Sequence, residues 1–168
     1  ISSINLDVES NITIDDKCFK GINIRSVELK GKNISIGNES FKNCSSIISF
    51  MILTSNRVRF GFNSFEGCKK MENVSINADS EITTGNYCFS KASKLRSAIL
   101  ESPRVTIGDF CFNDCSELRN VSMMQANEIS CYQNSFNRTP KNKNIRKVVD
   151  FQMYDPETDD YPIQLQSK

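Results

Sequence analysis

The chain has 168 residues, none of them histidine, so imidazole-based triads, HExxH metal sites and Cys/His zinc fingers are excluded. It is 38% hydrophobic and 24% charged, which suits one folded domain, or two small ones, and is too apolar for a disordered chain. Its 21 basic and 20 acidic residues leave a net charge of +1, so the total makes no electrostatic case for nucleic acid or an anionic membrane.

The chain opens at Ile1 with neither a methionine nor a signal peptide, which reads as a piece of something longer or a processed form. No stretch approaches 18 consecutive apolar residues, so no membrane span is expected. Ile1, Ile4 and Leu6 fit the tail of a repeating unit. Phenylalanine then recurs at Phe19, Phe41, Phe65, Phe89, Phe112 and Phe136, with spacings of 22, 24, 24, 23 and 24 residues. Such a period marks a repeat architecture. The first unit is one residue short between Ile22 and Ile24 and runs on through Val27 and Leu29.

The following units share one plan. Before each Phe lies a short alternating run: Ile34 and Ile36, Val58 and Phe60, Ile82 and Thr84, Val105 and Ile107. Next comes a glycine, Gly37, Gly61, Gly85 or Gly108, read as a permissive corner. After the Phe, the FxxCxxL stretch suits a turn or short helical turn. A second alternating run follows: Phe50 and Ile52, Val74 and Ile76, Ala98 and Leu100, Val121 and Met123. The two-residue period is that of a strand with one face buried. A unit of this size cannot bury its own apolar side, so stacked units must bury it on each other. The expected fold is an α/β repeat solenoid, with a parallel β-sheet on one face and few or very short helices.

The pattern weakens after Phe136. Thr139 replaces the cysteine, residues 139–144 read as an insertion, and Asp150 stands where an apolar residue belongs. The expected organisation is a solenoid of about six units over 1–150, then a cap or tail over 151–168. Phe151, Met153 and Tyr154 are candidates to cover the last rung; a frayed tail is the alternative.

The motif I-G-x-x-x-F-x-x-C-x-x-L-x-x-V-x-I resembles BspA-like leucine-rich repeats. The best unit carries it at Gly108, Phe112, Cys115, Leu118, Val121 and Met123. These repeats occur in surface proteins of bacteria and of parasitic protists such as trichomonads. The resemblance implies a right-handed leucine-rich-repeat coil that binds proteins or host surfaces, without catalytic residues. One departure is the missing asparagine ladder, whose positions fall at Ser55, Asp79, Pro103 and Ala126.

Candidate chemistry is sparse. Cys44, Cys68 and Cys115 share one repeat position, and Cys18, Cys88 and Cys111 another. Neighbouring rungs would allow disulfides such as Cys44–Cys68 or Cys88–Cys111. Small thiols filling a narrow interior slot, as Ala92 does, is the preferred reading. Two cysteine positions per rung do not converge on a four-thiol metal site. No glycine pattern cradles phosphate, and the acidic tail lacks the glycine and closing glutamate of a calcium loop. Neither cofactor nor metal is expected. The basic cluster Arg138, Lys141, Lys143, Arg146 and Lys147 reads as a solvated loop facing the acidic tail, with an anionic partner as the alternative. Sequons fall at Asn11, Asn33, Asn38, Asn43, Asn73, Asn120 and Asn137, and would matter in a secreted chain.

The outward face of the second run is the best binding candidate. Its proposed contact residues are Met51, Leu53, Ser75, Asn77, Ile99, Glu101, Ser122 and Met124. Met51, Leu53, Ile99 and Met124 are the apolar members, and exposed apolar residues can mark an interaction patch. The expected function is non-enzymatic: a protein-interaction or adhesion module of a surface or secreted protein, contacting a protein or host-surface ligand. The alternative is an intracellular scaffold segment of a larger assembly.

Overall fold

A computed structural model describes residues 2–132 and 134–140, together with two strand segments, 144–146 and 163–166. The odd-numbered strands form one sheet: β1 (Ser3–Asp7), β3 (Ser26–Lys30), β5 (Ser49–Thr54), β7 (Asn73–Asn77), β9 (Ser97–Glu101), β11 (Asn120–Ser122) and β13 (Asn144–Arg146). The even-numbered strands form the other: β2 (Ile12–Ile14), β4 (Asn33–Ile36), β6 (Arg57–Phe60), β8 (Glu81–Thr83), β10 (Arg104–Ile107), β12 (Glu128–Cys131) and β14 (Ile163–Gln166). Each sheet has seven strands. The expectation of one sheet on one face is therefore corrected: the run before each Phe pairs as regularly as the run after it. Val58 aligns with Ile34 on one side and Ile82 on the other, and Ile107 aligns with Cys131.

Every pairing is parallel except the last, where β14 runs antiparallel to β12. A strand from within 151–168 thus joins the edge of the second sheet. Phe151, Met153 and Tyr154 lie outside the described residues.

No helix occurs among the described residues, so the α/β expectation with short helices is also corrected. The stretch around each Phe is an arc of turns with alternating hydrogen bonds. Phe19, Phe41, Phe65 and Phe89 donate their backbone N–H to Ser40, Ser64, Cys88 and Cys111 in the next rung, at 2.7–2.8 Å. The residues between close turns within the rung, as Cys18 N–H does on Asp15 O and Lys20 N–H on Lys17 O, both 3.2 Å. Alternation of this kind needs left-handed backbone on both sides of the Phe. Glu39 and Asn43 (φ 54° and 60°), Tyr87 and Lys91 (57° and 61°), and Phe110 and Asp114 (53° and 59°) supply it. A helix would point every N–H along its own axis and leave the neighbouring rung unbonded.

The core is a filled column. The six Phe rings stack in series, with centroids 5.0–5.5 Å apart from Phe19 to Phe136. Phe41, Phe65, Phe89 and Phe112 are fully buried. Phe50 and Phe60 meet this column edge-on, 4.6 and 6.0 Å from the Phe65 ring.

The corner glycines are required for space. None of Gly37, Gly61, Gly85 and Gly108 has a positive φ, but a Cβ on Gly85 would lie 2.5 Å from the Gly61 carbonyl carbon. The asparagine-ladder positions also shift by a residue. Ala78 and Ser102 point inward beside Ser55 and Ala126, while Asp79 is exposed and Pro103 half-buried. Backbone satisfaction moves to the glycine corner, where a hydroxyl precedes the Phe. Ser40 Oγ donates to Gly37 O and Ser64 Oγ to Gly61 O, both at 2.6 Å. Ser135 Oγ donates to Gly108 O at 3.0 Å.

Candidate functional site

The alternation of β5, β7, β9 and β11 buries one set of residues and turns the other to solvent. Register then sets the rows across the first sheet. Ser26, Ser49, Asn73, Ser97 and Asn120 form one row. Glu28, Met51, Ser75, Ile99 and Ser122 form the next. Asn77 pairs with Glu101 in a third. All eight sequence-chosen contact residues therefore come from one face or its edge.

Their environments differ. Met51, Leu53, Ile99 and Met124 are exposed, Met124 most of all at 58%. Ser75 stands between Met51 and Ile99, so these two lie two strand spacings apart, about 9.6 Å. The face alternates apolar and small polar groups instead of forming a single apolar patch. Leu53 stands out for a reason that spacing does not reveal. Leu29 pairs with Ile52 and Lys30 with Thr54, so Leu53 is the extra residue of a register shift.

Glu101 is already engaged. Its carboxylate accepts from Ser122 Oγ at 3.1 Å, from Gln125 N–H at 2.9 Å and from Met124 N–H at 3.4 Å. It therefore positions the loop that carries Met124. Ser122 is engaged by the same contact. Met51, Leu53, Ile99 and Met124 stay open to a partner.

The seven cysteines are free thiols, six of them buried and Cys18 exposed. Cys44, Cys68 and Cys115 donate Sγ–H to the Phe19, Phe41 and Phe89 carbonyls of the previous rung, at 3.1–3.2 Å. Burial raises the pKa of Cys44, Cys68, Cys88 and Cys115 above the ordinary thiol value, and that of Cys131 to about 11. A buried, protonated thiol is a poor nucleophile, so these side chains act as small polar filler.

The sequons divide by exposure. Asn11, Asn43, Asn73 and Asn120 are exposed. Asn38 Oδ1 accepts from Phe62 N–H at 3.0 Å, and Asn137 Nδ2 donates to Asn113 Oδ1 at 2.8 Å, so a glycan at either would disturb rung-to-rung bonding. Arg138 of the basic cluster pairs with Asp114 at 3.1 Å, and the side chains of the other four lie outside the described residues.

Exposed apolar residues that the repeat pattern missed are Val8, Ile48, Phe62 and Tyr87, and Leu6, fitted to the tail of a unit, is exposed too. Phe62 occupies the position that holds Asn38, Asn86 and Asp109 in other rungs, a departure visible in the aligned units. Among the described residues, no helix is long and apolar enough to cross a membrane.

A family model described as the BspA type leucine rich repeat region matches residues 12–143 in six copies. No curated protein and no solved structure matches the chain.

Proposed function

Since the chain belongs to the BspA-type leucine-rich repeat family, we propose that it is a non-enzymatic interaction module of a surface or secreted protein, binding through its first sheet. Repeat arrays of this kind generally mediate protein interactions. The observation that carries the reading is the open row on a rigid sheet, with Met51 and Ile99 exposed and Met124 held outward by Glu101. The stacked core fixes the strands that carry these side chains, so a partner meets a preorganised backbone and little backbone ordering entropy opposes binding. The partner class is a protein or host-surface ligand.

Adhesion of protein-coated beads to cultured cells or to matrix proteins tests this. Met51→Lys with Met124→Lys should abolish adhesion while leaving the thermal midpoint unchanged. Unaltered adhesion would refute this surface.

One observation favours a second reading, an intracellular scaffold segment of a larger assembly. All seven cysteines are free, and reduced thiols are the norm in reducing compartments. Mass spectrometry of the native protein separates the two. Glycans on Asn73 or Asn120 sink the intracellular reading, and bare asparagines with seven thiols sink secretion.

A further inference from the structure

The net charge of +1 conceals a segregation of charge along one edge of the solenoid. On most of the surface, cations are paired across rungs. Lys20 holds Glu39 at 2.7 Å, and Lys42 and Lys91 share Glu66 at 2.8 and 3.2 Å. Arg57, Arg59 and Arg104 share Glu81, at 2.7, 3.1 and 3.8 Å. The loops entering the first sheet are different. Arg25, Lys69, Lys70, Lys94 and Arg119 are exposed there, and no carboxylate among the described residues lies within ion-pair distance of them. Elsewhere among the described residues only Lys17 and Lys32 share that condition.

The backbone fixes the geometry of this edge. Ile48 N–H donates to Arg25 O at 2.7 Å, Glu72 to Ile48 at 2.8 Å, Arg96 to Glu72 at 2.9 Å and Arg119 to Arg96 at 3.0 Å. Arg25, Ile48, Glu72, Arg96 and Arg119 therefore follow one another in one column, a rung apart. Four rung steps of about 4.8 Å give it a length of about 19 Å. Arg96 is held by Glu117 at 3.3 Å, and Lys70 and Lys94 sit two residues upstream of Glu72 and Arg96. Immediately beside the column runs the row Ser26, Ser49, Asn73, Ser97 and Asn120, a line of hydroxyls and amides.

We propose that this edge binds a linear anionic polysaccharide of the sulfated glycosaminoglycan class, laid along the solenoid axis. Lys70 and Lys94 on adjacent rungs, with Lys69 beside them and Arg25 and Arg119 at the two ends of the column, outnumber the carboxylates Glu72 and Glu117 along this edge, and such an excess of cations matches a chain that carries sulfate or carboxylate groups. The adjacent hydroxyl and amide row supplies donors and acceptors for sugar hydroxyls. An acidic peptide would be expected to find apolar anchors, and Ile48 is the one exposed apolar group in the column. A membrane surface would need apolar side chains to insert beside the cations. Single-stranded nucleic acid would need an aromatic platform, which this column lacks. The inference uses residues other than Met51, Leu53, Ile99 and Met124, so it stands or falls separately from the protein-binding face.

The test uses immobilised heparin, with polyglutamate and phosphatidylserine vesicles as competing anions. Lys70→Glu with Lys94→Glu and Arg119→Glu should weaken heparin binding about tenfold or more, and raised salt should weaken the wild-type chain in the same way. Lys17→Glu with Lys32→Glu, away from the edge, should change it less than about twofold. Equal loss in both variants overturns the proposal. Polyglutamate competing as well as heparin at equal charge overturns it in favour of an acidic peptide, and vesicle binding without heparin binding overturns it in favour of a membrane. If the triple variant melts early, Lys70→Gln and Lys94→Gln must each lower heparin affinity, and unchanged affinity in both overturns the edge.

Discussion

Gly85→Ala separates two effects of opposite sign. Gly85 has no positive φ, so alanine can adopt its backbone without strain. Restricting the unfolded chain alone would then stabilise by about 0.4–1 kcal/mol. Packing opposes this. The new Cβ would lie 2.5 Å from Gly61 C and 2.7 Å from Phe62 N. Carbon pairs sit comfortably at about 3.5–4.0 Å, so the two rungs must part by about 1 Å. Overpacking on that scale costs about 1–3 kcal/mol. The same two rungs are joined beside the corner by Asn63 N–H to Asn86 O at 3.0 Å and Phe65 N–H to Cys88 O at 2.7 Å. Stretching those bonds adds about 1 kcal/mol each. Packing wins, with a net destabilisation of about 2–5 kcal/mol. For a chain of this size that is a fall of about 4–20 °C in thermal midpoint. Gly21→Ala is the control. Gly21 has φ 71° and open space around a Cβ, so it needs left-handed backbone but not room. Its cost should be about 1 kcal/mol, the left-handed penalty less the unfolded-state gain. Circular dichroism melts and guanidinium unfolding measure both. If Gly85→Ala costs no more than Gly21→Ala, the close approach of rungs is not what holds glycine at this corner.

Two further outcomes follow from buried polar groups. Ser102 Oγ is buried without a hydrogen-bond partner, between Ala78 and Ala126 at the same position of neighbouring rungs. Ser102→Ala should be neutral or stabilise by up to about 1 kcal/mol, whereas Ser55→Ala should cost about 1 kcal/mol by losing bonds to Lys32 O and Arg57 O; urea unfolding showing the reverse order would defeat this. The raised thiol pKa values make the fold alkali-sensitive. Unfolded thiols ionise near pH 9 while folded Cys131 keeps its proton to about 11, so its contribution is complete below pH 9 and is lost as pH rises to 11. That loss is about 3 kcal/mol, and Cys44, Cys68, Cys88 and Cys115 shift in the same direction. Unfolding free energy measured at pH 8, 9.5 and 11 should fall steadily, and less so in Cys131→Ala; parallel profiles would count against the thiol as the cause.

The Phe column was legible because its residues recur at one rung position and every rung buries them in the same way. The alternating runs were legible for the same reason. Their partnership was harder to read, because the partners in every parallel pair lie 22–24 residues apart and β8 spans three residues. Nothing local marks a three-residue run as part of a sheet. The arc was hidden more deeply. Left-handed backbone usually announces itself with glycine, yet Lys17, Glu39, Asn63, Tyr87 and Phe110 hold one such position and Asn43, Lys91 and Asp114 the other. Each costs about 1–2 kcal/mol relative to glycine. The cost is tolerated because the alternation lets every second N–H bond to the next rung, and a solenoid offers that compensation at every step. Sequence rules tuned to isolated turns do not contain it.

The candidate surfaces show where reading by position stops. The outward face follows from alternation alone, and Met51, Ile99 and Met124 are exposed as that alternation requires. Leu53 is exposed by the same alternation, but its place as the unpaired extra residue of a register shift depends on how β3 and β5 pair and is invisible along either strand. Glu101 carries the charge expected of a contact residue but directs it at the next rung's loop. Charge shows the same limit on a larger scale. A total of +1 is compatible both with thorough mixing and with complete separation. Only the rung geometry reveals that Glu39, Glu66 and Glu81 neutralise cations on the arc and the second sheet, while the loops entering the first sheet keep Lys69, Lys70, Lys94 and Arg119 unpaired. A repeat protein lays its surface out in columns one rung apart, so the charge that a partner meets is the charge of a column. Columns are summed across residues 22–24 apart in sequence, and totals over the whole chain average them away.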